Sequence, residues 1–154
     1  MTKPATDVIR LLRGKTLCTA ESCTGGMIGG VLTAVSGASN VYKGGIVSYT
    51  NEVKHKLLGV DVGLLEREGA VSATVAQAMA IGARCALDAD IAVSVTGLAG
   101  PGGDEFGNPV GTVFIGYADE TVATSRHFLF EGDREMVRAQ AVDAALKLIL
   151  EYNQ

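Results

Sequence analysis

Asp90-Ile91-Ala92-Val93-Ser94-Val95-Thr96-Gly97-Leu98-Ala99-Gly100-Pro101-Gly102-Gly103 is the stretch whose reading decides the fold. Its first half is short, rich in β-branched residues and almost uncharged, as a strand buried on both faces must be. Its second half, punctuated by four glycines and a proline, suits neither helix nor strand. Buried strands that empty into such loops form the ligand-binding edge of open α/β sheets. Outward from this stretch the pattern recurs. The apolar run from Lys15 to Ala20 leads into Glu21-Ser22-Cys23-Thr24-Gly25-Gly26 and then a helix from Met27 to Val35. Gly45 to Tyr49 leads to Asn51, read as an N-cap, and a short helix from Glu52 to Leu58 closed by Gly59. A helical turn is predicted from about Gly63 to Glu68, and Ser72 caps a helix with the apolar stripe Val75, Met79, Ala83, Ala86 and Leu87. Val110 to Ala118 and Thr121 to Phe130 flank Asp119-Glu120 as an antiparallel hairpin, with Pro109 at a strand start. Asp133 caps a last helix to about Glu151 that buries Val137, Ala141, Ala144, Ala145 and Leu148. The first few residues and the last three look dispensable. The order predicts an α/β chain: a three-layer α/β/α sandwich with a mixed, mostly parallel sheet and a C-terminal antiparallel hairpin. Its 154 residues suit a single domain over 1–154.

Composition excludes several function classes. Hydrophobic residues are 47% and charged residues 19%, which rules out a disordered chain. Glycine is the outlier at 20 positions, without a triplet period, so backbone-built loops are expected rather than collagen. A net charge of -4, aromatics at 5% and no Trp leave little to attract or stack a nucleic acid. The N-terminus has no apolar signal core, and the uncharged run from Ser22 to Tyr42 is too polar for lipid, so no membrane partner is expected. Three cysteines without a CxxC pair indicate neither a disulfide framework nor a zinc site and fit a reducing, cytoplasmic setting. His55 and His127 share no ligand spacing with each other or with a carboxylate cluster, so no metal is expected.

The chemistry should gather at three predicted strand ends: Ser22 with Thr24, Tyr49 with Lys54, and Thr96 with its glycines. A hydroxyl, an amine and bare N–H groups are the parts of an acyl-transfer site. Ser22, on a sharp strand-to-helix turn, is either the nucleophile or an N-cap, and Thr24 with Gly25 and Gly26 is the stronger cap candidate. Lys54 is either a solvated lysine or a base whose pKa is lowered near a helix N-terminus. Tyr49 either relays a proton or packs as an amphipathic tyrosine. The loop from Thr96 to Gly103 either cradles an anion or is an ordinary tight loop; it is neither a Walker A nor a GxGxxG motif. Arg134 and Arg138, one helical turn apart, suit an anion clamp or plain solvation. Cys23, with His55 as its base, is the competing nucleophile, and Glu21 either orients a neighbour or caps backbone N–H groups.

Six blocks, in order along the chain, resemble the CinA C-terminal domain family: Thr19 to Gly26, Tyr49 to Lys54, Gly69 to Ser72, Gly97 to Gly103, Pro109 to Val113, and Gly132 to Arg134 with Arg138 to Ala141. The resemblance implies an amidase that converts nicotinamide mononucleotide to nicotinate mononucleotide and ammonia, with no cofactor. It implies Ser22 as nucleophile, with Lys54 and Tyr49 as its activating partners. Thr24, Gly25, Gly26, Thr96, Gly97, Ala99, Gly100 and Arg138 are then the candidates for holding a small pyridine nucleotide, divided between oxyanion and phosphate. Asn108 stands where that family often has lysine, and Val142 where it often has threonine. The alternative is a non-catalytic nucleotide-binding or regulatory module of the competence/damage-inducible type. A homo-oligomer is compatible with either.

Overall fold

The computed structural model describes residues 2–154. A five-stranded sheet runs in the order β2-β1-β3-β4-β5, with β1 Leu17–Glu21, β2 Tyr42–Val47, β3 Ile91–Gly97, β4 Thr112–Ala118 and β5 Ala123–Leu129. β1 pairs in parallel with both β2 and β3, so that Ala20 lies opposite Ile46 on one side and Ser94 on the other. β4 and β5 add the antiparallel hairpin to the far side of β3. Every residue of β1 is buried and β3 is buried up to Thr96, which explains why both read as continuous apolar runs.

Helices cover both faces. α1 (Thr2–Leu11), α2 (Met27–Thr33) and α6 (Arg134–Tyr152) pack on one, around Ile28, Leu32, Val93, Ile115, Val137 and Ile149. α3 (Asn51–Leu58), α4 (Val62–Glu68) and α5 (Ala73–Leu87) pack on the other, around Leu58, Leu65, Val75, Met79, Ala83 and Ala92. The connection after β1 therefore departs to one face and the connection after β2 to the opposite face. Such a divergence opens a crevice beyond the carboxyl ends of adjacent parallel strands.

Several expectations change. The N-terminal residues are not dispensable: α1 buries Ala5, Val8 and Ile9, and Leu12 just beyond it is buried too. Nor is the C-terminus loose, since the Tyr152 ring stacks on Tyr117 at 4.7 Å and Asn153 Nδ2 donates to the Tyr117 hydroxyl at 3.1 Å. β2 begins earlier than expected, at Tyr42, and ends at Val47. Pro109 precedes β4 rather than starting it, and its carbonyl accepts from Thr112 N–H and Thr112 Oγ1 in a turn. Asn51 is the first residue of α3 and not its cap; Thr50 Oγ1 accepts from Val53 N–H. Ala86 faces solvent, and the buried stripe of α5 is instead Val75, Ala76, Met79, Ala80 and Ala83.

Candidate active site

Ser22 follows β1 directly. Its N–H donates to Val95 O at 3.0 Å, which ties it to the sheet, and its carbonyl accepts from Gly25 N–H at 3.1 Å, which closes a tight turn. Gly25 and Gly26 complete the reversal with φ of +57° and +104°, a region that favours glycine. The expected capping role of Thr24 is corrected here: the residue before α2 is Gly26, with no side-chain cap, and Thr24 Oγ1 donates to Glu21 Oε1 at 2.7 Å. Glu21, 2% exposed, does the capping. Its two oxygens accept from Ile28 N–H at 2.9 Å and Gly29 N–H at 3.0 Å, besides the hydroxyls of Thr24 and Thr19. Thr24, wholly buried, is thus part of the scaffold under the turn and not of its exposed face.

Lys54 comes from the other face of the sheet. It is the fourth residue of α3, its N–H donating to Thr50 O, and its side chain is 1% exposed. Nζ lies 3.0 Å from Ser22 Oγ, 2.9 Å from Ser48 O and 3.4 Å from Tyr49 O. Carbonyl oxygens can only accept, so in the neutral amine they take the two N–H groups and leave the lone pair facing Ser22. Burial lowers the Lys54 pKa to about 8. Loss of hydration is the cause.

The same surroundings disarm Cys23. Burial raises its thiol to about 11, and His55 is turned away, with Nδ1 2.8 Å from Val60 O. A protonated thiol without a base is a poor nucleophile.

A cavity of about 290 Å³ opens at Ser22 and Lys54 and is walled by Thr96, Gly97, Ala99 and Gly100, as expected of the glycine loop. Thr96 Oγ1 is spent on Ala70 O at 2.8 Å. Leu98 N–H donates to Thr112 O, whereas among the described residues no protein acceptor meets the N–H groups of Ala99 and Gly100. Tyr49 is neither packed in the core nor aimed at the amine: its backbone carbonyl reaches Lys54, while its phenol, on an exposed side chain, accepts from Arg134 Nη2 at 3.3 Å. Arg134 also donates from Nη1 to Gly100 O at 2.6 Å and lines the mouth of the cavity. Gly25, Gly26 and Arg138 do not line it; Arg138 bonds the carbonyls of Cys23 and Thr24 instead. Asn51, which sequence reasoning passed over except as a cap, is a wall residue. A larger groove of about 660 Å³ between β5 and α6 has Arg126, Lys147 and Glu151 on its walls but no nucleophile with a base. No group of three or more His, Cys, Asp or Glu among the described residues could hold a metal ion, and no helix there is long and apolar enough to cross a membrane.

Known proteins share this fold. The model of the CinA C-terminal domain family matches residues 2–153. A CinA-like protein of Geobacter sp. (strain M21) is 48% identical over 139 residues, 90% of this chain and 34% of that protein. One from Geobacter metallireducens is 50% identical over 135 residues, 86% of this chain and 33% of that protein. The chain thus spans about a third of the length of these curated relatives. A competence-damaged protein (CinA) superfamily protein from Escherichia coli, solved by crystallography, has a TM-score of 0.96 at 37% identity, covering 98% of this chain and 89% of that one. A competence/damage inducible protein from Agrobacterium tumefaciens has a TM-score of 0.93 at 38% identity, covering 99% and 95%. Since the sheet, the turn after β1 and the glycine loop all fall inside the matched span, this chain belongs to the CinA C-terminal domain family.

Proposed function

We propose that this domain is an amidohydrolase of pyridine mononucleotides, converting nicotinamide mononucleotide to nicotinate mononucleotide and ammonia. The observation that carries the reading is the buried Lys54 amine, 3.0 Å from Ser22 Oγ, oriented by two carbonyls and biased toward its neutral form by loss of hydration. In this reading Lys54 takes the hydroxyl proton as Ser22 Oγ attacks the carboxamide carbon. The tetrahedral oxyanion is met by N–H groups of Ala99 and Gly100, and Lys54 returns the proton to the departing nitrogen as ammonia. Water, deprotonated by the same amine, then opens the acyl-enzyme to the nicotinate product and frees Ser22. Arg134, at the mouth, is the residue suited to a phosphate, because a guanidinium can add a charge-assisted bond there while it keeps its contacts with Gly100 and Tyr49. That role replaces the one the family resemblance suggests for Arg138. Tyr49 then serves by holding Arg134.

The test is ammonia release from nicotinamide mononucleotide. Turnover that disappears in Ser22→Ala and largely survives in Cys23→Ala supports the reading. The reverse pattern makes the protein a cysteine hydrolase. Tight binding of the nucleotide without ammonia release returns it to the non-catalytic nucleotide-binding class.

A further inference from the structure

Arg138 is half-buried, lies one turn beyond Arg134 on α6, and reaches back across the fold to the turn that carries Ser22. Its Nε donates to Cys23 O at 2.9 Å and its Nη2 to Thr24 O at 3.3 Å. These are the carbonyls of the two middle residues of the turn closed by Gly25 N–H and Ser22 O. Each peptide unit is planar, so holding two successive carbonyls fixes the orientation of both planes and the dihedrals of Thr24 between them. The fork of a guanidinium is matched to two adjacent acceptors, whereas an ammonium acts as a single point.

The turn has three other anchors. Ser22 N–H is pinned to Val95 O, the Glu21 carboxylate holds the Thr24 hydroxyl and the first N–H groups of α2, and Met27 N–H donates to the Thr24 carbonyl at 3.0 Å. None of the three touches the Cys23 carbonyl. On the α2 side the chain continues through Gly25 and Gly26, two residues with the widest backbone freedom. Among the described residues Arg138 is therefore the one hydrogen-bond partner of the Cys23 carbonyl, and its guanidinium opposes rotation of the Cys23–Thr24 peptide directly. That peptide adjoins the nucleophile, whose productive distance to Lys54 is a matter of tenths of an ångström.

We propose that Arg138 is a positioning residue: it clamps the Ser22–Gly25 turn from the last helix and thereby keeps Ser22 Oγ on the Lys54 amine, rather than binding the substrate's phosphate. The proposal rests on the Ser22–Lys54 reading for its effect on rate, but the clamp itself does not. Misplacing a reacting group by about 1 Å costs on the order of 10²-fold in rate. The full chain carrying Arg138→Ala, assayed on nicotinamide mononucleotide and on nicotinamide riboside, should lose about 10²-fold in kcat on both. KM should stay within about threefold on either substrate. Arg138→Lys should fall between the variant and the parent, and added methylguanidinium should restore part of the lost rate to Arg138→Ala but not to Ser22→Ala. A KM increase confined to the phosphate-bearing substrate, with kcat kept, overturns the proposal and makes Arg138 a phosphate ligand.

Amide hydrogen exchange supplies the arm that needs no turnover. Residues 23–26 should exchange about tenfold faster in Arg138→Ala while the β1–β3 ladder is unchanged. Equal exchange in both proteins overturns the clamp whatever the kinetics. Faster exchange in a chain whose parent releases no ammonia supports the clamp and overturns only the amidase reading. Should the alanine variant fail to fold, Arg138→Lys is read by the same criteria.

Discussion

The Lys54 amine is 1% exposed, has no salt bridge among the described residues, and donates only to neutral oxygens. Below pH 8 the folded and unfolded chains are both protonated there, and the fold bears the whole cost of a buried, unpaired ammonium. Between about 8 and the free value of about 10.4 the unfolded chain binds the extra proton, so stability rises with pH across that window. We therefore expect Lys54→Met to be more stable than the parent at pH 7, by up to about 3 kcal/mol, with the gain shrinking toward pH 10. Urea titrations at the two pH values measure it. The rate should report the same proton. If the neutral amine is the base, kcat climbs about tenfold per pH unit below 8 and levels off above it. Lys54→Arg keeps the charge but cannot deprotonate, and should lose about 10²- to 10⁴-fold in kcat. An Arg variant that turns over normally would assign proton abstraction to another group.

Two helices on one face of the sheet set the height of that amine. Gly82 in α5 meets the last turn of α3 so closely that an added Cβ would lie 1.9 Å from Leu58 O, a contact with backbone that no rotamer change relieves. Gly82→Ala must push α3 outward, and with it the helix that carries Lys54. We expect a loss of about 1–3 kcal/mol in stability together with a fall in kcat, read by thermal melting and by ammonia release. Gly30 in α2 is the contrasting case. A Cβ there meets nothing within 4 Å, so Gly30→Ala should stabilise by up to about 1 kcal/mol through helix propensity alone. Equal effects at the two glycines would show that backbone contact between α3 and α5 does not limit their approach.

At the level of the whole molecule, Ser22 and Lys54 are held by opposite layers. Ser22 opens toward α2, packed with α1 and α6, and Lys54 rides on α3, packed with α4 and α5. The N-terminal helix belongs to that first layer although none of its residues lines the site cavity. Leu12→Ala, which empties a site 1% exposed, should cost about 2–5 kcal/mol while leaving kcat nearly unchanged well below the melting temperature. A rate loss equal to that of a site variant would mean that the layer transmits strain to the turn. Truncation before β1 should be more damaging still, since Ala5, Val8 and Ile9 would leave with it.

The order of residues alone carried the architecture and placed the candidate site residues at the strand ends. Buried strands, their glycine-rich ends, the helix stop at Gly59 and the helix start at Ser72 are local patterns, so the sandwich, the hairpin and the loop from Thr96 to Gly100 could be read from spacing, which also made Ser22 and Lys54 candidates whose roles the family resemblance then suggested. What distance in sequence hides could not. α1 is short and carries three charges and a proline, and only the packing of four of its neighbouring apolar side chains marks it as core. Thr50 rather than Asn51 caps α3, because adjacent polar residues offer the same chemistry and only dihedral angles choose between them. Arg134 and Arg138 share a helix face, yet four residues advance about 6 Å along its axis. That step sets one arginine against Gly100 and Tyr49 at the cavity and the other against the carbonyls behind Ser22. Periodicity specifies which face a side chain occupies; what stands opposite that face is decided by how the layers close.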